Sequence, residues 1–129
     1  RWGPSSATPD TKKEAREVTK REKLPQRRRC EVIHFDHILA NGSAVPHTAT
    51  LGYYDDGRIG EVFVDAKKQA SDVANLARDA AVLLSIGIQY GVPLNELRAA
   101  VGREESGAPH TVLGTVLDLL CAEFEGDEQ

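Results

Sequence analysis

Apolar and polar positions alternate from residue 30 to residue 39 (CEVIHFDHIL). Val32, His34, Asp36 and Ile38 fall on one face of an extended segment, and Ile33, Phe35 and His37 on the other. A Thr- and Tyr-rich run at 47–54 and a third run at 58–65 (RIGEVFVD) read as further strands. Asn41-Gly42 and Asp55-Asp56-Gly57 separate the three runs, and Asn-Gly and Asp-Gly supply the positive φ angles of two-residue hairpin turns. The pattern predicts three strands joined as an antiparallel meander.

The period then becomes helical. Ser71 is a good N-cap, and Asp72 is favourable against the helix dipole. Over 72–90, Val73, Leu76, Ala77, Ala80, Leu83, Leu84 and Gly87 form one apolar stripe. Val82, Ile86 and Ile88 widen it until 80–88 is apolar nearly all round, which predicts burial on two sides: against the sheet, and against either the next helix or another copy of the chain. Gly91-Val92-Pro93 closes this helix and opens a short one over 95–101. A polar loop, 102–110, leads to Thr111, the cap of a last helix over 112–124 whose apolar positions are Val112, Leu113, Val116, Leu117, Leu120 and Phe124. The predicted class is α+β: a three-stranded antiparallel meander followed by a long buried helix and two shorter helices.

Charge divides the chain. Residues 1–30 hold ten basic and four acidic side chains, and residues 31–129 hold six and sixteen, so a net charge of −4 conceals a basic arm on an acidic body. The expected organisation is a basic, largely disordered arm (1–30), a folded domain (31–124) and an acidic tail (125–129). Within the arm, 11–23 has the composition of a solvated helix, ended by Leu24-Pro25. Such an arm folds back on the body or reaches for phosphate, which makes a nucleic-acid-handling protein one expected partner. The two cysteines, Cys30 and Cys121, have no metal spacing and read as reduced thiols. The charged N-terminus does not read as a secretory signal, and no apolar run is long enough for a bilayer, so the expected setting is cytoplasmic, away from membranes.

Candidate chemistry is sparse. The chain carries no phosphate loop, dinucleotide fingerprint, nucleophile elbow or zinc motif, so no catalytic residue, metal or cofactor is expected. His34 and Asp36 share a strand face but need a third ligand from elsewhere; the histidines read as exposed at a sheet edge. Asp55 and Asp56 belong to a turn. Arg98, Arg103, His110 and Thr111 flank the 102–110 loop, where arginines beside a helix N-terminus make a natural anion site, and these four are the candidate ligand-binding residues.

The run LGYYDDGRIGEVFV, the later LLSIGIQYGVPLNEL and the lead-in REKLPQRRR (21–29) resemble the TSCPD domain. That domain lies near the C-terminus of adenosylcobalamin-dependent ribonucleotide reductases and in small stand-alone relatives. The resemblance spans about residues 21–120. It implies an appendage to the catalytic barrel, hence a non-catalytic module acting through a nucleotide or a protein, with a reductase as one expected partner. The chain ends in EFEGDEQ, without the cysteine pair that often ends those reductases. In plan, the predicted fold is also similar to small oligomeric phage proteins that trap cyclic-nucleotide or cyclic ADP-ribose signals. That second resemblance implies a homo-oligomer, of bacterial or phage origin, with a nucleotide pocket at a subunit interface near Arg103.

Overall fold

A computed structural model describes residues 20–67 and 71–124. The expectations for 1–19 and for the acidic tail lie outside the described residues.

The chain forms strands β1 (Cys30–Ile38), β2 (Ala44–Tyr53) and β3 (Ile59–Ala66), then helices α1 (Asp72–Gln89), α2 (Leu94–Ala100) and α3 (Val112–Phe124). The sheet is antiparallel in the order β1-β2-β3, with Val32 opposite Thr50 and Thr50 opposite Phe63. This is the α+β architecture that the pattern predicts. β2 begins at Ala44, ahead of the expected His47, which shortens the first hairpin loop, and the second loop is the expected turn at 55–57. Leu39 N–H bonds to the Ser43 carbonyl at 2.8 Å and Tyr54 N–H to the Arg58 carbonyl at 2.9 Å, so each loop holds three residues. Gly42 (φ 88°) and Gly57 (φ 93°) take the left-handed position at the end of each.

The helices cover one face of the sheet. Leu51, Val62 and Val64 from the strands meet Leu84 of α1 and Val116, Leu117 and Leu120 of α3 in one core. No described residue covers the opposite face, where Val32, Ile38 and Phe63 are exposed. Ser71 caps α1 as expected, its side chain accepting the Ala74 N–H at 3.0 Å, and Gly91 (φ 91°) follows the helix's end.

The stripe of α1 that meets the sheet is not the one its leucines suggest. The buried positions are Ala74, Ala81, Leu84, Ser85 and Gln89, whereas Val73, Leu76 and Leu83 face outward. Two of the five are polar because α1 lies along the edge strand β3, where backbone groups need partners: Gln89 Nε2 donates to the Gly60 carbonyl at 2.8 Å, and Ser85 bonds Val62.

Residues 20–29 lie against the body. Glu22 N–H bonds to the Gln89 carbonyl at 2.8 Å, the Tyr54 hydroxyl donates to the Glu22 carbonyl at 2.8 Å, and the Glu22 carboxylate takes two bonds from Arg58 at 2.9 and 2.7 Å. Leu24 fills the space that a side chain at residue 60 would need, so glycine there admits the segment. The end of the basic arm is thus held through its own Glu22 by Gln89, Tyr54 and the basic Arg58, and Arg28 lies 3.4 Å from Glu61.

Candidate functional site

Loop 102–110 is a small closed hairpin. Glu104 N–H bonds to the Ala108 carbonyl at 2.8 Å, Gly107 (φ 94°) turns the chain, and His110 N–H bonds to the Gly102 carbonyl at 3.1 Å. Two of the four candidate residues converge beside it. Arg98, on α2, donates from Nε to Asp118 Oδ1 at 2.7 Å. Arg103 donates from Nη2 to the same oxygen at 2.6 Å, and from Nη1 to Asp118 Oδ2 at 3.2 Å and the Gly107 carbonyl at 3.0 Å. Asp118 is the residue that sequence reasoning missed, and its signal was present: it is the one charge in the apolar run 112–121. The Arg103 hydrogen bonds, then those of Arg98, hold its carboxyl below the usual carboxylate range, and Asp118 in turn raises Arg103.

The other two candidates do not join this cluster. His110 Nε2 lies 3.3 Å from Glu104 Oε2. The Thr111 hydroxyl accepts the Gly114 N–H at 3.2 Å and so caps its own helix. Arg103 therefore braces the loop against α3, and the N-terminal turn of α3 is served by its own threonine. The arrangement resembles a strut more than an open anion cradle.

A second arrangement lies at the end of the sheet. His37, read from the sequence as exposed at a sheet edge, is 4% accessible, and His47 is 5% accessible. Alternation explains this: His37 shares the inward face with Ile33 and Phe35, and His47 shares its face with Ala49 and Leu51. His37 Nδ1 lies 2.8 Å from the Thr115 hydroxyl. Burial lowers its pKa, partly offset by a hydrogen bond with the His110 carbonyl, so its neutral form is favoured. The His47 ring stacks on Phe35, with centroids 5.6 Å apart, and its Nδ1–H donates to the Val45 carbonyl at 2.9 Å. That tautomer leaves Nε2 as an acceptor.

Both histidines line a cavity of about 660 Å³, walled mainly by apolar residues such as Val45, Ala66, Ala74 and Val112. Its size and lining suit an apolar group as large as a nucleobase, with His47 to orient it. Among the described residues its lining holds no paired carboxylates, and no three His, Cys, Asp or Glu side chains gather as a metal site. No helix among the described residues is long and apolar enough to cross a membrane.

No family model and no solved structure matches the chain. Curated relatives do. The chain is 38% identical over 79 residues to the vitamin B12-dependent ribonucleotide reductase of Bradyrhizobium diazoefficiens, a match covering 61% of this chain and 6% of that protein. It is 38% identical over 76 residues to the enzyme of the same name from Agrobacterium fabrum (59% and 6%), and 42% identical over 53 residues to that of Streptantibioticus cattleyicolor (41% and 9%). The chain thus spans less than a tenth of the curated relatives it matches. These matches agree with the TSCPD-like resemblance: about three-fifths of this chain is homologous to a short segment of vitamin B12-dependent ribonucleotide reductases.

Proposed function

We propose that this chain is a non-catalytic accessory module, related to a segment of those reductases, that works by protein contact through the outer face of α1. The observation that carries the reading is the exposure of Val73, Leu76 and Leu83, at 71%, 70% and 70%, on one side of a capped helix. Single exposed apolar side chains are ordinary, whereas three large ones on one helical stripe have the composition of an interface. The Arg98–Asp118–Arg103 cluster favours the same reading, because its charges are spent on holding the domain together.

Alkylation tests it. Cys121 is buried and Cys30 is exposed, so a Cys30→Ser background isolates a cysteine introduced by Leu83→Cys. Slower labelling at high chain concentration, or on adding a purified vitamin B12-dependent reductase, supports contact through this face. Equal labelling under all conditions overturns it.

A second reading, a sensor or sponge for a nucleotide or cyclic nucleotide, is favoured by the His37–His47 cavity. It requires a melting shift with a nucleotide that His47→Ala abolishes.

A further inference from the structure

The outward stripe of α1 has a regular spacing. Val73, Leu76, Ala80, Leu83, Gly87 and Tyr90 follow one another at alternating steps of three and four, the spacing of a coiled-coil seam. The seam continues through Tyr90, whose backbone remains helical (φ −85°, ψ 0°) and which is 44% exposed. Residue size along the seam is palindromic in a complementary sense. If a second α1 runs antiparallel about an axis between residues 81 and 82, Leu76 of each copy meets Gly87 of the other. Leu83 likewise meets Ala80, and Val73 meets Tyr90. Every large side chain then faces a small one near the axis, and the ends are closed by Val73 and Tyr90. Gly87 leaves a notch there, because a Cβ at that position would meet only Leu97, at 4.0 Å.

We infer that the occupant of this face is a second copy of the same chain, paired through antiparallel α1 helices about a two-fold axis. This rests on the protein-contact reading and names its partner. Self-complementarity is what an isologous interface requires. Charge selects the direction. Asp72, Asp79 and Arg78 lie in the first half of α1, Arg78 turned to Asp65 of its own β3 at 3.1 Å, so that half is net acidic, and 80–90 carries no charge. Antiparallel pairing sets each acidic half against the other copy's uncharged half and opposes the helix dipoles. Parallel pairing instead sets Asp72 against Asp72, Gly87 against Gly87 and Leu against Leu, which crowds some layers and empties others. The area is sufficient: the exposed seam offers roughly 500 Å² per copy, so pairing buries about 1,000 Å² in all, the threshold of a specific interface.

Sedimentation of the full chain over a concentration series tests the pairing. Wild type is expected to reach twice the chain mass. Leu83→Glu, at an exposed position that leaves the core untouched, is expected to weaken association by roughly thirtyfold or more, the effect of losing a central anchor. Gly87→Leu fills the notch and weakens it too, whereas Leu76→Ala combined with Gly87→Leu exchanges knob and notch and restores the dimer. In a Cys30→Ser background, a mixture of Ala80→Cys and Leu83→Cys chains is expected to cross-link between unlike chains. Cross-linking of each variant to itself, or a dimer indifferent to Leu83→Glu, overturns the antiparallel seam. A monomer at every concentration whose Leu83→Cys is nevertheless shielded by the reductase overturns self-pairing and leaves the contact function standing. A monomer shielded by neither overturns both.

Discussion

Ser85 on α1 bonds both backbone groups of Val62 on β3: its Oγ accepts the Val62 N–H at 2.8 Å and lies 3.0 Å from the Val62 carbonyl. The same hydroxyl lies 2.9 Å from the Ala81 carbonyl of its own helix, so its single proton is shared between two acceptors. One buried side chain thereby closes an edge-strand position that would otherwise lose its water without a replacement. Ser85→Ala is expected to destabilise the fold by about 1–3 kcal/mol, read as a lower urea midpoint with an unchanged slope. An unchanged midpoint would mean that Val62 finds other partners.

The same contact explains what the sequence conceals. The strands were legible because alternation places Ile33, Phe35 and His37 on one face, and the turns because glycine is needed at positive φ. The existence and caps of α1 were legible from Ser71 and Gly91. Its phase was not. Periodicity assigns the apolar stripe to the core, yet the edge strand demands hydrogen-bonding partners, so Ser85 and Gln89 turn inward beside Leu84, and Val73, Leu76 and Leu83 turn out. A helix apolar nearly all round does not reveal which of its faces meets the sheet. Of the four residues around the arginine loop, Arg98 and Arg103 do come together, but that Asp118 is their shared partner was not legible because it lies on α3, while His110 and Thr111 bond elsewhere.

His37 gives the fold a pH dependence of known sign. Burial lowers its folded pKa beneath the ordinary value of 6.5, so the unfolded chain binds the proton more readily. The stability it contributes is complete above about pH 6.5 and is lost as pH falls from there through the lower folded value. Urea midpoints measured from neutral pH down to pH 5 are expected to fall for wild type, and the His37→Gln variant should lose much of that slope. A parallel slope in the variant would assign the effect to other groups.

Gly60 controls the docking of residues 20–29. A Cβ there runs into Leu24 and comes within 2.9 Å of Tyr54 Cε2. Gly60→Ala is expected to displace the segment while the core of β3 and α1 persists. Arg27, Arg28 and Arg29 then become faster sites for trypsin, several-fold over wild type, because cleavage follows local opening. An unchanged cleavage rate would show that Leu24 moves aside without releasing the segment.

Asp118 decides whether the arginine loop binds anions. In the wild type its carboxylate takes Nε of Arg98 and both terminal nitrogens of Arg103. An incoming phosphate must compete with a partner that is already tethered and charge-matched. Asp118→Asn keeps the shape and removes the charge, leaving two guanidinium groups beside each other with no carboxylate between them. Nucleoside triphosphates are therefore expected to leave the wild-type melting temperature unchanged through this loop and to raise that of Asp118→Asn. A ligand present at about a hundred times its dissociation constant contributes roughly 2.7 kcal/mol, which a melt resolves. The variant should also shed part of its acid sensitivity. The folded Asp118 pKa is depressed, so its contribution is present above the unfolded carboxylate value and disappears as pH falls through the folded one. The opposite result, a wild-type shift that Arg103→Ala abolishes, would mean that phosphate displaces Asp118, and it would return the loop to the status of a ligand site.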